Sequence, residues 1–246
     1  MFNIGYDKRA SYILMAILIA INLRNYANNP NAILGLVLSL PAVLIAITFH
    51  EFAHAFVADK LGDDTPRRQG RLNLNPLSHL DPVGSIMLVF AGFGWGKPVE
   101  INSANFNRKR SMSASEAIVS VAGPIMNFIL AIVFAIIWGI TLYITKNSLN
   151  QTTEIILTIL EYCVSVNLGL GIFNLIPLPP LDGSKILKNI LPYKARQWYD
   201  AHYQILYIVF LVIWITPIAS MIITPLLRGA YTGIMNLVLN IVSNFI

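Results

Sequence analysis

Charge is what this chain has least of. Only 12% of its 246 residues are Asp, Glu, Lys or Arg, against 56% hydrophobic ones, where a soluble domain carries about a quarter charged residues. That shortage excludes an ordinary water-soluble fold and reads as an integral membrane protein. Cysteine is almost missing as well. The single Cys163 excludes an internal disulfide and any Cys-x-x-Cys zinc site, which leaves it a packing role. Internal repeats, low-complexity tracts and a polar stretch long enough to fold as a soluble domain are also absent. The chain therefore reads as one membrane-embedded domain over residues 1–246, with no attached sensor module.

What is present is a series of apolar runs, at about residues 10–26, 31–58, 115–144, 153–181, 201–227 and 230–246. A helix needs roughly 20 residues to cross a bilayer. The expected fold is thus all-α and polytopic with about six transmembrane helices, the first and last being short. Lys8 and Arg9 ahead of the first run resemble the start of a signal peptide, but only Asn22-Leu23-Arg24-Asn25-Tyr26-Ala27 follows, without a small-x-small cleavage site, so a retained helix is expected.

The formal net charge of +5 does not point to nucleic acid, because the cations are arranged as membrane topology arranges them. With the N-terminus in the cytoplasm, fourteen Lys and Arg fall on that side and only Arg24, Lys146 and Arg228 on the other. This bias orients a multi-pass protein of the cell membrane, with the lipid bilayer as its surroundings.

Between the second and third runs lies the longest stretch that does not span. It begins with Gly62-Asp63-Asp64-Thr65-Pro66-Arg67-Arg68, and Asp59 to Asp64 read as a solvated cluster marking a helix end. Gly70-Arg71-Leu72-Asn73-Leu74-Asn75-Pro76 alternates as a short strand would, and residues 84–95 are apolar and glycine-containing but too short to cross. Residues 84–101 are expected to dip into the membrane as a re-entrant loop or β-hairpin, offering an edge on which an extended peptide could be held.

The chemistry sits inside the second apolar run, at His50-Glu51-Phe52-Ala53-His54. On a helix, positions i and i+4 share a face, so both imidazoles can reach one metal ion. Glu51, offset from His50 by about 100°, can address a water held there. A catalytic zinc takes three protein donors, and the candidates for the third are His79, Asp81, Asp182 and His202. Asp182 fits best. It ends Asn174-Leu175-Ile176-Pro177-Leu178-Pro179-Pro180-Leu181-Asp182-Gly183, where three prolines interrupt an apolar run and unwind backbone beside an acid. Both Asp182 and His54 fall near the expected cytoplasmic ends of their runs. His79 with Asp81 reads as a polar turn, and His202, among Trp198, Tyr199 and Tyr203, as an interfacial residue.

Taken together, His50–His54, residues 70–76 and 81–84, Gly94-Trp95-Gly96-Lys97-Pro98-Val99, Gly123-Pro124-Ile125-Met126-Asn127 and residues 174–183 resemble the site-2 protease family of intramembrane zinc metalloproteases, in the family's order. The resemblance implies one Zn²⁺ per chain held by His50, His54 and Asp182, with Glu51 as catalytic base. It implies substrate contacts from Asn127 and Asn174, a catalytic core over about residues 31–190, and a transmembrane protein or peptide as substrate. It also implies the short form of the family, without PDZ or CBS domain. Rival readings are weaker. A surface zinc protease would pair the histidines with a downstream helical Glu, yet Glu116, Glu154 and Glu161 form no such pair. A transporter would show paired discontinuous helices in inverted halves, which are missing.

Overall fold

The structure is a computed structural model that describes residues 20, 27, 29–85, 96–146, 148 and 150–245. Its regular elements are helices: α1 (Pro30–Lys60), α2 (Thr65–Arg68), α3 (Pro76–His79), a 3₁₀ turn (Ser103–Asn105), α4 (Met112–Thr145), α5 (Gln151–Asn174), α6 (Asp182–Ile190), α7 (Tyr193–Ala201), α8 (Tyr203–Ile215) and α9 (Ile218–Phe245). Among the described residues, α1, α4, α5 and α9 are the four helices long and apolar enough to cross a membrane. At 31 residues, α1 is about 46 Å long, well beyond a hydrocarbon core of about 30 Å. Its Lys60 end can therefore reach polar surroundings while the middle stays apolar.

Local signals set the helix starts. Pro30 occupies the first turn of α1, where its missing N–H is no loss. Ser111 Oγ accepts the Ala114 N–H at 3.2 Å to open α4. Asn150 and Thr153 exchange two such bonds at 3.1 and 2.9 Å, a capping box that opens α5.

Helices α1, α4 and α5 pack on one another, and α9 packs on α4 and α5. Small residues line the seams: Ala42, Ala46, Ala131 and Ala135 are fully buried, and small side chains let helices approach closely where lipid supplies no hydrophobic drive. Trp138, Leu157, Val164 and Leu168 of α4 and α5 meet Met235, Val238 and Val242 of α9. Gly139 makes this contact possible, since a Cβ there would run into Val238. The opposite face of α4 presents Ile125, Ile129, Ile132, Ile136 and Ile140 outward, an exposed apolar stripe of the kind a bilayer covers.

Three expectations change. The fifth and sixth runs do not divide at Arg228-Gly229, because α9 continues straight through both. The break falls instead at Thr216-Pro217: Thr216 is extended, the conformation a following proline favours. Only 13 residues of α8 precede it, about 20 Å of helix and too short to span. Residues 70–76 form no strand. Asn73 Oδ1 takes the Asn75 N–H at 2.7 Å and Asn75 Oδ1 the Leu77 N–H at 3.1 Å, so asparagine side chains convert the alternation into turns. Apart from residue 20, the first expected span lies outside the described residues, as do residues 86–95 of the expected membrane dip. On the flank of that dip, Leu80 and Gly96 form an isolated antiparallel bridge and the Lys97 N–H donates to His79 O at 2.8 Å.

The third change concerns the acidic turn after α1. Asp63 is not solvated but fully buried. It accepts from Thr65 N at 3.1 Å, Thr65 Oγ1 at 2.5 Å, Asn102 N at 2.7 Å and Asn105 Nδ2 at 3.0 Å. Burial pushes its carboxyl up, but these donors outweigh burial and hold it below the ordinary range. The carboxylate thus staples the polar segment around residue 102 to the end of α1. Asp63→Ala should lower unfolding stability by about 2 kcal/mol, the order expected when buried charge-assisted bonds are lost. Because the folded carboxyl lies below its unfolded value of about 3.9, its stabilisation is complete above that pH and fades as pH falls. Thermal melts of the wild type and Asp63→Asn should therefore converge on acidification.

Candidate metal centre

Helix α1 turns His50 and His54 toward α4 and toward the first residue of α6. Their Nε2 atoms lie 3.1 Å apart, and Asp182 Oδ2 lies 3.1 Å from His50 Nε2 and 3.0 Å from His54 Nε2. All three side chains are buried, and together they form a group able to hold a metal ion.

The loop before α6 explains how a carboxylate reaches this point. Helix α5 ends at Asn174, and Pro177, Pro179 and Pro180 keep the next residues from continuing it. The loop is braced by Tyr199 Oη, which donates to Pro177 O at 3.0 Å. Gly183 follows Asp182 because a Cβ there would collide with the carbonyl oxygens of Leu175 and Ile176. Only glycine lets α6 start this close to the end of α5.

The far sides of the imidazoles decide what the near sides offer. His50 Nδ1 faces Asn127 Oδ1 at 2.7 Å, and His54 Nδ1 faces the Val119 carbonyl at 2.7 Å. Both partners only accept, so each Nδ1 carries a proton, and each ring in its neutral form presents its Nε2 lone pair inward. Two lone pairs and a carboxylate oxygen within 3.1 Å of one another repel unless a cation sits among them. Donors around a tetrahedral Zn²⁺, at bonds of about 2.0–2.1 Å, lie roughly 3.3 Å apart. The donor set fits zinc in kind, number and spacing.

Gly123 is the contact that lets α4 approach. A Cβ there would sit 2.6 Å from His50 Cε1 and 2.7 Å from His50 Nε2, and would press into His54 Nε2.

Glu51 occupies the adjacent position. Its Oε2 accepts the Val99 N–H at 3.0 Å, while Oε1 has no protein partner among the described residues. Both the donor triad and Glu51 line a cavity of about 440 Å³ whose walls include Pro98, Val99 and Ile101, Glu116, Asn174, Pro180 and Lys185. Lys185 Nζ stands 3.3 Å from Asp182 Oδ1. Ser103 Oγ donates to Glu116 Oε1 at 2.6 Å, which holds that carboxylate to the wall.

Of the two asparagines expected at the substrate, Asn174 lines the cavity, and its Nδ2 donates to Leu170 O at 3.1 Å. Asn127 is fully buried behind His50. The other third-donor candidates lie elsewhere in the fold. His79 is buried with its Nε2–H donating to Asn73 O at 2.8 Å, Asp81 accepts from Gly84 N at 2.8 Å, and His202 stacks on Trp198 with ring centroids 4.4 Å apart. Sequence reasoning missed the Val99 N–H, the Val119 carbonyl, the steric demand at Gly123, and Asn167. Only Asn167 carried a signal, as a lone amide within an apolar helix.

A donor triad able to hold a metal ion, with a neighbouring glutamate and set among helices of membrane-spanning length, is the arrangement of a membrane zinc metallopeptidase. Comparison with known proteins agrees. The model of peptidase family M50 matches residues 139–216, which include Asp182 though not the histidine pair. The Bacillus subtilis protein named "Putative zinc metalloprotease YwhC" is 38% identical over 195 residues, covering 79% of this chain and 88% of that one. Two proteins of the same description are similar as well. Rip2 of Mycolicibacterium smegmatis is 28% identical over 74% of this chain and 68% of its own length. MJ0611 of Methanocaldococcus jannaschii is 32% identical over 65% of this chain and 74% of its own. No solved structure matches. The chain belongs to peptidase family M50, the site-2 protease family of zinc metallopeptidases.

Gly123→Ala should remove zinc from the purified protein, as read by elemental analysis, because the new methyl takes space the imidazoles need. Gly233→Ala, where a Cβ meets nothing within 4 Å, should leave metal content unchanged.

Proposed function

We propose that this protein hydrolyses peptide bonds within or near transmembrane segments of membrane-protein substrates, with one Zn²⁺ per chain held by His50, His54 and Asp182. The observation that carries this reading is the convergence of those three donors on a cavity that Glu51 also faces. Zinc bound there would lower the pKa of a water toward about 7 and polarise the scissile carbonyl. Glu51 is the base. Its Oε2 is pinned by the Val99 N–H, which leaves Oε1 to take a proton from water and pass it to the leaving amine.

His54 lies six residues before Lys60 at the end of α1, about 9 Å along the axis. The charge bias of the sequence assigns that end to the cytoplasm, so water is reached from the side where Lys185 and Glu116 line the cavity. A helical substrate hides its carbonyls in backbone hydrogen bonds and must unwind before it can be cut, so Gly, Asn or Pro near the scissile bond favours cleavage. Its unwound stretch would lie extended along residues 98–101, which form one wall. Asn174 supplies an amide to orient it, and Asn127 serves by holding His50 in place. The catalytic core corresponds to about residues 31–190. Clearance of membrane proteins and regulated release of membrane-bound factors are both uses this chemistry serves.

Glu51→Gln should keep zinc and lose cleavage of a transmembrane peptide by about 10²- to 10⁴-fold, the range for a general base. Loss of zinc in that variant, or retained cleavage, would refute the assignment. Val99→Pro deletes the N–H that pins Glu51 and should lower kcat with zinc content unchanged, measured on the reconstituted protein by mass spectrometry of the products.

A further inference from the structure

Three helices meet at two buried carboxamides behind the metal site. Asn127 of α4 and Asn167 of α5 are both fully buried. Asn167 Nδ2 donates to the Cys163 carbonyl at 2.8 Å. Its Oδ1 accepts from Asn127 Nδ2 at 2.9 Å, and the same Nδ2 donates to the Ala46 carbonyl of α1 at 3.1 Å. Asn127 Oδ1 is left to face His50 Nδ1 at 2.7 Å.

Each step has one orientation. The Cys163 carbonyl can only accept, so Asn167 must point its nitrogen there and its oxygen at Asn127. Asn127 then spends both amide protons on two oxygens and must turn its own oxygen to His50. A carboxamide rotated by half a turn would set Oδ1 against the oxygens of Ala46 and Asn167, at fully buried positions where that clash is costly. The consequence falls on the imidazole: with an acceptor at Nδ1, the proton sits there and the Nε2 lone pair is free for a metal.

We infer that Asn167, which touches neither the cavity nor His50, is a positioning residue that fixes the tautomer of a metal ligand through Asn127. This rests on His50 being a ligand, as proposed above. Without Asn167, Ala46 O alone opposes rotation of the Asn127 amide. The rotated amide would point N–H at His50 Nδ1, which favours the tautomer whose proton occupies Nε2, where zinc must bind.

The test is zinc affinity of the full-length protein in detergent, by chelator competition at fixed pH, for Asn167→Leu, Asn167→Asp, Asn127→Leu, the double Leu variant and His50→Ala. Asn167→Leu should weaken binding by about 10- to 100-fold, the range for lost outer partners of a ligand. Asn167→Asp, which keeps an acceptor for Asn127 Nδ2, should lose less. If Asn167 acts only through Asn127, the double variant should bind no more weakly than Asn127→Leu. Should the Leu variant not fold, Asn167→Thr takes its place: its hydroxyl can satisfy the Cys163 carbonyl one turn back but is too short to orient Asn127, and the same loss is expected. Wild-type affinity in Asn167→Leu, multiplying losses in the double variant, or weaker binding by the Asp than by the Leu variant would each overturn the inference. A purely packing role predicts that last order, since it puts a charge where Leu merely changes shape. Unchanged affinity in His50→Ala would sink the parent reading and this inference with it. Loss in His50→Ala with full affinity in Asn167→Leu would sink this inference alone.

Discussion

One close approach governs the molecule: α4 passing His50 and His54 at Gly123. A methyl group cannot be accommodated at that crossing. Because α4 comes so near, its Val119 carbonyl and Asn127 side chain reach the outer nitrogens of both imidazoles, and the inner nitrogens are turned toward Asp182. Every other part of the site can be read as a response. The prolines after Asn174 unwind the chain, Gly183 lets the next helix begin against the end of α5, and Tyr199 braces the loop from α7. A carboxylate buried in an apolar bundle is costly without a compensating charge. Lys185 Nζ stands 3.3 Å from its Oδ1, and the two imidazoles facing Oδ2 supply no charge in their neutral form, so a cation among the three donors would complete the compensation.

Peptide hydrolysis consumes water, and most of this bundle excludes it. The structure resolves that conflict by separating two zones along α1. Toward its N-terminal half the seams are filled by alanines and aliphatic side chains; toward Lys60 the chain opens into a cavity with Glu51, Glu116, Asn174 and Lys185 on its walls. The backbone at residues 97–101 is irregular, with the Lys97 and Val99 N–H groups bonded to the His79 carbonyl and to Glu51. Irregular backbone at such a place is tolerated where it lines a cavity and finds partners.

The histidine pair was legible because its spacing is a property of the helix alone. Asp182 was legible for a related reason: prolines beside an acid inside an apolar run contradict a simple span, so the conflict itself marked the place. Part of what failed to be legible depended on partners distant in sequence, and part on local signals that imitated another structure. The ties of Asp63 to Asn102 and Asn105 could not be read from an acidic turn that looks solvated. Arg228-Gly229 looked like a loop, yet a long basic side chain on an exposed helix can extend past apolar surface, while Thr216-Pro217 breaks the chain through local sterics. At residues 70–76, alternation imitated a strand because asparagines, which make turns, happened to fall at every second position. Asn167 was visible as an amide in an apolar run. That its oxygen meets Asn127 became visible only once α4 and α5 were packed together.

The outer partners of both imidazoles come from α4, and this has a consequence for how the site tolerates motion. Helices α1 and α4 run so that the later residue on one meets the earlier on the other: His50 with Asn127, His54 with Val119, and Gly123 between. A slide of one residue, about 1.5 Å, would break both contacts together and drive a Cα–Cβ bond toward the imidazoles. Register between two long helices is held by many side-chain contacts along their length, so the histidine half of the site is stiff. The carboxylate stands at the first residue of the short α6, after an irregular loop, and the backbone at residues 97–101 is irregular, so these parts are held by fewer helix contacts than the histidines. A stiff pair of imidazoles beside less regular walls suits a zinc metallopeptidase, whose metal donors must stay fixed while a peptide is seated against them.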